Sequence, residues 1–235
     1  MYKNFSKVYD LMMEYADYDG WKEIIEEKIE RYGNSPKTIL DLGCGTGEVL
    51  IRLTSKYEMT GVDISKEMVD IAKAKTDAAS FYVQDMRELN LEQKYDVVIS
   101  LFDTVNHLIS LKGLKKTFQS VWNNLNDEGI YIFDVVTRNL MDEMFPGGNF
   151  IDDRGEIMII WEHEYDEEEE IDYVDTTFFV KQENGMFKKI TEEYVKKIFT
   201  VDEIINTAKE VGFQTVEVEE NHGLAGERIF FTMKK

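Results

Sequence analysis

The chain is poor in cysteine, in positive charge and in long apolar runs, and each shortage narrows what it can be. A single cysteine, Cys44, cannot form an intrachain disulfide, which fits a reducing compartment. Lys plus Arg number 27 against 47 Asp plus Glu, a net charge of -20. Affinity for nucleic acid rests largely on Lys/Arg contacts to phosphate, and no run of these residues is long enough to make a dedicated groove. DNA or RNA as a partner is therefore disfavoured, short of a basic patch assembled only by the fold. No apolar stretch approaches the length of a membrane span. The opening Met1-Tyr2-Lys3-Asn4-Phe5-Ser6-Lys7 lacks the apolar core of a signal peptide. With no two histidines at metal-ligand spacing and one cysteine elsewhere, no metal site is expected. Together these shortages predict a cytoplasmic protein without membrane contact.

What is present is 235 residues, 43% of them hydrophobic and 12% aromatic. That suffices for one α/β domain, or one domain carrying a large insertion. A short helix is expected over 5–13. A second follows Asp19 as N-cap, with Trp21, Ile24, Ile25, Ile29 and Tyr32 on one face and Gly33 as its stop. Together 1–33 would form a helical cover. After Pro36, strands and helices alternate. Strands are expected over 38–42, 58–62, 80–83, 95–101 and 130–136. The helices between them include one ending near Lys56, one capped by Ser65 and one carrying Leu111, Leu114, Phe118, Val121, Trp122 and Leu125. Asn126-Asp127-Glu128-Gly129 reads as a turn. Such alternation means a parallel sheet covered on both faces.

After Val136 the period changes to two. Ile157, Ile159, Trp161 and His163 alternate with Met158, Ile160 and Glu162, and Val174, Thr176, Phe178 and Val180 repeat the pattern. Asn184-Gly185 signals a hairpin, and the acids 166–170 read as a solvated tip. Residues 190–199 fit strand or helix, and the hairpin signal favours strand. Thr200-Val201-Asp202-Glu203 opens a helix that Gly212 stops, and strands follow over 213–218 and 228–233. The expected domains are 1–138 plus 200–235, with 139–199 as an inserted antiparallel sheet.

The most informative residues are Asp41-Leu42-Gly43-Cys44-Gly45-Thr46-Gly47, directly after the first strand. Glycines there let the backbone turn sharply and a ligand approach without meeting a Cβ. A dinucleotide loop would need G-x-G-x-x-G, with pyrophosphate on the following helix N-terminus. Here the spacing is G-x-G-x-G, and Glu48 at the helix start would repel a phosphate.

The loop resembles motif I of the class I S-adenosylmethionine-dependent methyltransferases, and the resemblance spans about 1–138 and 200–235. It implies a doubly wound α/β fold, with a mostly parallel seven-stranded sheet whose last strand is antiparallel. It also implies S-adenosyl-L-methionine as cofactor. Asp63, in Gly61-Val62-Asp63-Ile64-Ser65, matches the acid that takes the ribose hydroxyls. Asp85 matches the acid near the adenine amino group, and Met86 after it would offer a backbone N–H and an apolar wall. Ser100-Leu101-Phe102-Asp103 matches the strand that runs into the methyl-transfer site. Cofactor contacts are thus expected at Asp41, Gly43, Cys44, Gly45, Asp63, Ile64, Asp85, Met86 and Leu101. A leading helix folded over the cofactor would bring Tyr9 or Trp21 there, although burial alone also accounts for these rings.

The cofactor is a sulfonium cation without phosphate, so an acidic pocket suits it, and Asp41 would stabilise its methionyl end. The Asn/Asp-Pro-Pro-Tyr/Phe motif is absent from the fourth strand end, which reads Leu101-Phe102-Asp103-Thr104-Val105-Asn106-His107. His107 is the candidate base for a protonated acceptor, with Asp103 and Asn106 to orient it; packing roles would explain these residues equally well. His163, in an inserted strand, reads as a solvated sheet position, with reach into the pocket as the alternative. Cys44 reads as an apolar filler, since its acidic neighbours disfavour a thiolate.

The reading is a methyltransferase for a small-molecule acceptor. A protein or RNA acceptor, a sensor that binds the cofactor without turnover, and a nicotinamide oxidoreductase stay open. The inserted sheet is expected to be a lid or acceptor platform, or else the interface of a homodimer.

Overall fold

The computed structural model describes residues 6–224 and 226–235, apart from the side chain of Lys7. Tyr2 and Phe5, and with them the start of the helix expected over 5–13, lie outside the described residues.

Two helices lead the chain, α1 (Ser6–Met12) and α2 (Tyr18–Tyr32). The N-cap of α2 is Asp17 and not Asp19. Asp17 Oδ1 accepts the Gly20 N–H at 2.9 Å, while Asp19 lies inside the first turn and pairs with Arg52. Both acids fit the capping rule, and the ion pair takes the second one.

The alternation then runs β1 (Thr38–Leu42), α3 (Glu48–Leu53), β2 (Glu58–Asp63), α4 (Lys66–Lys75), β3 (Ala79–Val83) and β4 (Tyr95–Ser100). A single 3₁₀ turn, Thr104–His107, precedes α5 (Leu111–Asn124) and β5 (Leu125–Val136). The turn expected at 126–129 survives as a bulge within β5. Pairing with β4 jumps from Tyr95↔Leu125 to Val97↔Ile130, and Glu128 is left-handed at φ 64°. α3 stops at Leu53, short of the expected Lys56.

Next come α6 (Arg138–Met144), β6 (Asn149–Asp153), β7 (Ile157–Asp166), β8 (Ile171–Lys181) and β9 (Phe187–Lys197). The chain closes with α7 (Val201–Val211), β10 (Gln214–Asn221) and β11 (Arg228–Lys234). The ambiguous 190–199 stretch is strand as far as Lys197, and Thr200 and Glu203 form the expected capping box on α7.

The seven-stranded sheet has the order β10-β11-β5-β4-β1-β2-β3, and β11 runs antiparallel to both its neighbours. The chain winds outward from β1 to β3, then crosses back to β4. The switch point therefore falls between β1 and β4, and the loops at their carboxyl ends border one crevice. One face of the sheet packs Phe118, Val121 and Ile204 from α5 and α7, and the other packs Trp21, Ile25, Leu50 and Val69 from α2, α3 and α4. The four-stranded sheet β6-β7-β8-β9 is inserted after β5. Its inner face packs Ile157, Ile159, Phe178 and Ile190 against Val8 and Met68, and Val174 against Val136 and Leu140. Among the described residues no helix is long and apolar enough to cross a membrane.

Candidate active site

The glycine loop leaves β1 and is pinned to β2, because the Gly43 and Cys44 amides both donate to Val62 O, at 2.7 and 3.0 Å. Gly43, Gly45 and Gly47 all have positive φ. A Cβ at Gly43 would sit 2.3 Å from Thr104 Cγ2, so the first glycine lets the β4 loop close in. At Gly45 a Cβ would meet nothing within 4 Å. That peptide faces open space.

The Asp63 carboxylate lies beside it at the end of β2. Its Oδ2 accepts the Gly45 N–H at 2.9 Å and its Oδ1 the Ser65 N–H at 2.8 Å. Burial raises its pKa, and the amides of Ser65, Gly45 and Ile64 oppose the rise. Each oxygen keeps a lone pair for a further donor. Ile64, next to it, is 56% exposed, an apolar platform beside a fixed acceptor. Asp41 is buried beneath the loop, and burial followed by the Asp63 charge raises it to about 7. Cys44 is buried, its thiol is pushed up by burial and then by Asp41, and Sγ contacts Gly45 O. That matches a filler and not a nucleophile. Asp85 follows β3 in a bidentate pair with Arg87, which lowers its pKa. Met86 is partly buried against the α5 side of the core, and Leu101 is buried on the other side.

A bare peptide, a fixed carboxylate with free lone pairs and an exposed apolar side chain suit a nucleoside with vicinal hydroxyls. Among the described residues, the cations beside the loop's helix start, Arg52 and Lys75, are bound to Glu48 and not held for a pyrophosphate. The donor set fits S-adenosylmethionine. Among the described residues no His/Cys/Asp/Glu group could hold a metal ion.

The two expected covering rings separate. Trp21 is 1% exposed and stacks on Phe102 at 4.2 Å, so it supports the β4 loop from within the core. Tyr9 packs with Val8, Met68 and Phe178 between α1 and the inserted sheet. Asp10 on α1 also touches the loop: it accepts the Thr46 hydroxyl at 2.6 Å and pairs with Lys75.

At the end of β4, Phe102 and Asp103 are both left-handed, at φ 56° and 54°. Asp103 pairs with Arg228 at 3.0 Å and Lys196 at 2.9 Å, and its amide donates to Asp134 Oδ2 at 3.0 Å. Burial would raise its pKa, but Lys196, Arg228 and His107 hold it at about 2. It is an anion engaged with two cations. Burial lowers His107 to about 4 against the pull of Asp103, and its ring bonds to the Val195 backbone. Asn106 is buried, donating to Lys197 O and accepting the Val136 N–H. His163 is not solvated as expected. Its side chain is 7% exposed, and Nδ1 lies 2.6 Å from Oδ1 of the buried Asp172.

Sequence reasoning missed Asp134, Arg228 and Lys196. Asp134 carried a signal, an acid inside the apolar run of β5 that must find a cation once buried. Lys196 had none, because only the pairing of β9 brings it to this loop.

The residues 39–129 match the model of a methyltransferase domain family. The Bacillus subtilis (strain 168) protein YqeM, by name a methyltransferase, is 35% identical, covering 100% of this chain and 97% of that one. The crystal structure of an S-adenosylmethionine-dependent methyltransferase from Clostridium acetobutylicum ATCC 824 superposes with a TM-score of 0.86 at 26% identity, over 99% of this chain and 98% of that chain. A dTDP-3-amino-3,4,6-trideoxy-alpha-D-glucopyranose N,N-dimethyltransferase of Streptomyces venezuelae is 26% identical over 54% of this chain and 55% of its own. The chain belongs to the S-adenosylmethionine-dependent methyltransferases. It is an enzyme of that class, and the cofactor is S-adenosylmethionine.

Proposed function

We propose that the enzyme methylates a small-molecule acceptor held between the carboxyl end of β4 and the inner face of the inserted sheet. The observation that carries this reading is the open peptide at Gly45 beside the amide-fixed Asp63, at the sheet edge where the β4 loop is bonded to β9 through Asp103 and Lys196.

Asp63 would hold the ribose, the peptides at Gly43, Cys44 and Gly45 would line the cofactor, and Asp85, Met86 and Ile64 would bracket its base. Leu101 would pack beneath it, and Tyr9 on α1 would lie at the cover. The bound cofactor supplies a methyl group activated by its sulfonium. The chain's own work is to align the acceptor with that methyl and exclude water. Asp41, ionised by the approach of the cationic end, would offset its charge. His107 is neutral at pH 7 and could take the acceptor's proton, while Asp103 orients the loop. The small acceptor is supported by the acidic surface, which disfavours nucleic acid, and by the aminosugar substrate in the name of the Streptomyces relative.

Thermal-shift and calorimetric titration with S-adenosylhomocysteine (SAH) tests the site. Stabilisation by it, and none by NAD(P), is expected. Turnover is then read as SAH release with a metabolite panel. Release with a protein or RNA substrate and with no metabolite would overturn the small-molecule assignment.

A further inference from the structure

Three successive residues of β9 meet the loop that follows β4. Val195 bonds to the His107 ring, Lys196 pairs with Asp103, and Lys197 O accepts the Asn106 amide. β9 is an edge strand of the inserted sheet, so its outer backbone groups are open to such bonds. The loop they hold carries two consecutive left-handed residues, Phe102 and Asp103, a conformation that non-glycine residues keep only when their surroundings impose it.

Asp103 and Asp134 lie against each other, joined through the Asp103 amide, and both are buried. Arg228 bonds to both at 3.0 and 2.7 Å. One guanidinium against two carboxylates leaves an excess negative charge. Lys196 is the second cation, and it alone comes from the inserted sheet. The other titratable groups facing the cluster among the described residues are His107, Tyr131, Tyr194 and Asp172, the last opposite Lys196 on β8 and paired with His163. His107 is neutral at pH 7, and burial holds both phenols protonated. Among the four groups in mutual contact, Asp103, Asp134, Arg228 and Lys196, the balance is two acids against two bases, and Asp172 keeps its own partner in His163.

We propose that Lys196 is a positioning residue of the methyl-transfer site, through which the inserted sheet holds the Phe102–Asp103 turn in its left-handed form. The inference rests on the methyltransferase site lying at the β4 end, and goes beyond it. It makes the turn beside the reacting centre conditional on how the inserted sheet sits.

Removing the cation leaves the cluster with excess negative charge at high pH. Burial, with Asp103 adding to it and Arg228 opposing it, already raises Asp134 to about 6. As pH falls through that value Asp134 takes up a proton, and in the variant neutrality returns. In the parent the same proton creates an excess positive charge.

The test compares Lys196→Met, Lys196→Arg and Lys196→Met/Asp134→Asn with the parent, in the full chain. At pH 8, Lys196→Met should lower Tm by roughly 8 °C, as expected for breaking a buried ion pair in a domain of this size. The deficit should at least halve by pH 5. Amide exchange at 102–107 should rise at least tenfold, while SAH affinity stays within about threefold, because the nucleoside seat is elsewhere. Arginine, or the added Asp134→Asn, should restore Tm and protection. A pH-independent deficit, unchanged exchange in the loop, or no rescue would overturn the inference while leaving the site intact. A parent that binds no SAH would sink the site reading, and this inference with it.

Discussion

Asp63 and Asp41 are adjacent carboxylates with different tasks. Asp63 is fixed by the Gly45 and Ser65 amides and keeps acceptor capacity toward the crevice. Asp63→Ala should weaken SAH binding ten- to hundredfold by calorimetry, from about 1.5–3 kcal/mol for hydrogen bonds to a charged group. Asp41 has its pKa raised from 3.8 to about 7 in the fold, by burial first and the Asp63 charge second. The folded state then binds the proton more tightly than the unfolded chain, so the stability from this group is full below about pH 4. It is lost as pH rises toward 7. Asp41→Asn should therefore gain Tm over the parent progressively between pH 5 and 8. In the parent, affinity for the cationic cofactor should rise over that range and in the variant stay flat. An equal Tm difference at every pH would remove the assignment. Asp41 and Asp63 could be picked out from the sequence because each lies at or next to a strand end, two residues ahead of Gly43 or Ser65. Their proximity could not, because it depends on β1 and β2 being neighbours.

At the scale of elements, the glycine loop separates two reasons for having no side chain. Gly43 makes room for Thr104, whose Cγ2 would lie 2.3 Å from an added Cβ, and whose hydroxyl is committed to Leu101 O. Gly45 faces open space. Alanine at either position meets the left-handed backbone cost of about 1–2 kcal/mol. Gly43→Ala should lose further stability to the clash, visible as the larger drop in Tm. Gly45→Ala should lose only about 2–8 °C, yet weaken SAH at least tenfold, because its methyl would enter the nucleoside seat. If SAH binds Gly45→Ala as it binds the parent, the seat lies elsewhere. The spacing of the glycines was legible in the sequence, but which of them faces solvent was not. That depends on where the β4 loop returns.

Across the whole molecule the net charge of -20 leaves the folded chain repelling itself. Raising NaCl from about 20 to about 200 mM shortens the Debye length from roughly 20 Å to roughly 7 Å and should raise Tm by a few degrees. A fall would mean that surface ion pairs outweigh the repulsion. Two of the cations, Arg228 and Lys196, are turned inward and neutralised by Asp103 and Asp134. They add nothing to the surface field.

By itself the sequence determined the alternation of β1 to β5, the glycine loop, the capping box at Thr200 and the hairpin period of the inserted sheet. Each of these is local, written in spacings of two or 3.6 residues and in turn chemistry. Tertiary structure alone decided that Trp21 lies under Phe102, that His163 is buried on Asp172, and that Lys196 reaches Asp103. Such contacts join residues 9 to 93 positions apart, brought together by strand pairing and packing. Burial, which no short stretch of chain can specify, sets how strongly each buried charge must be matched.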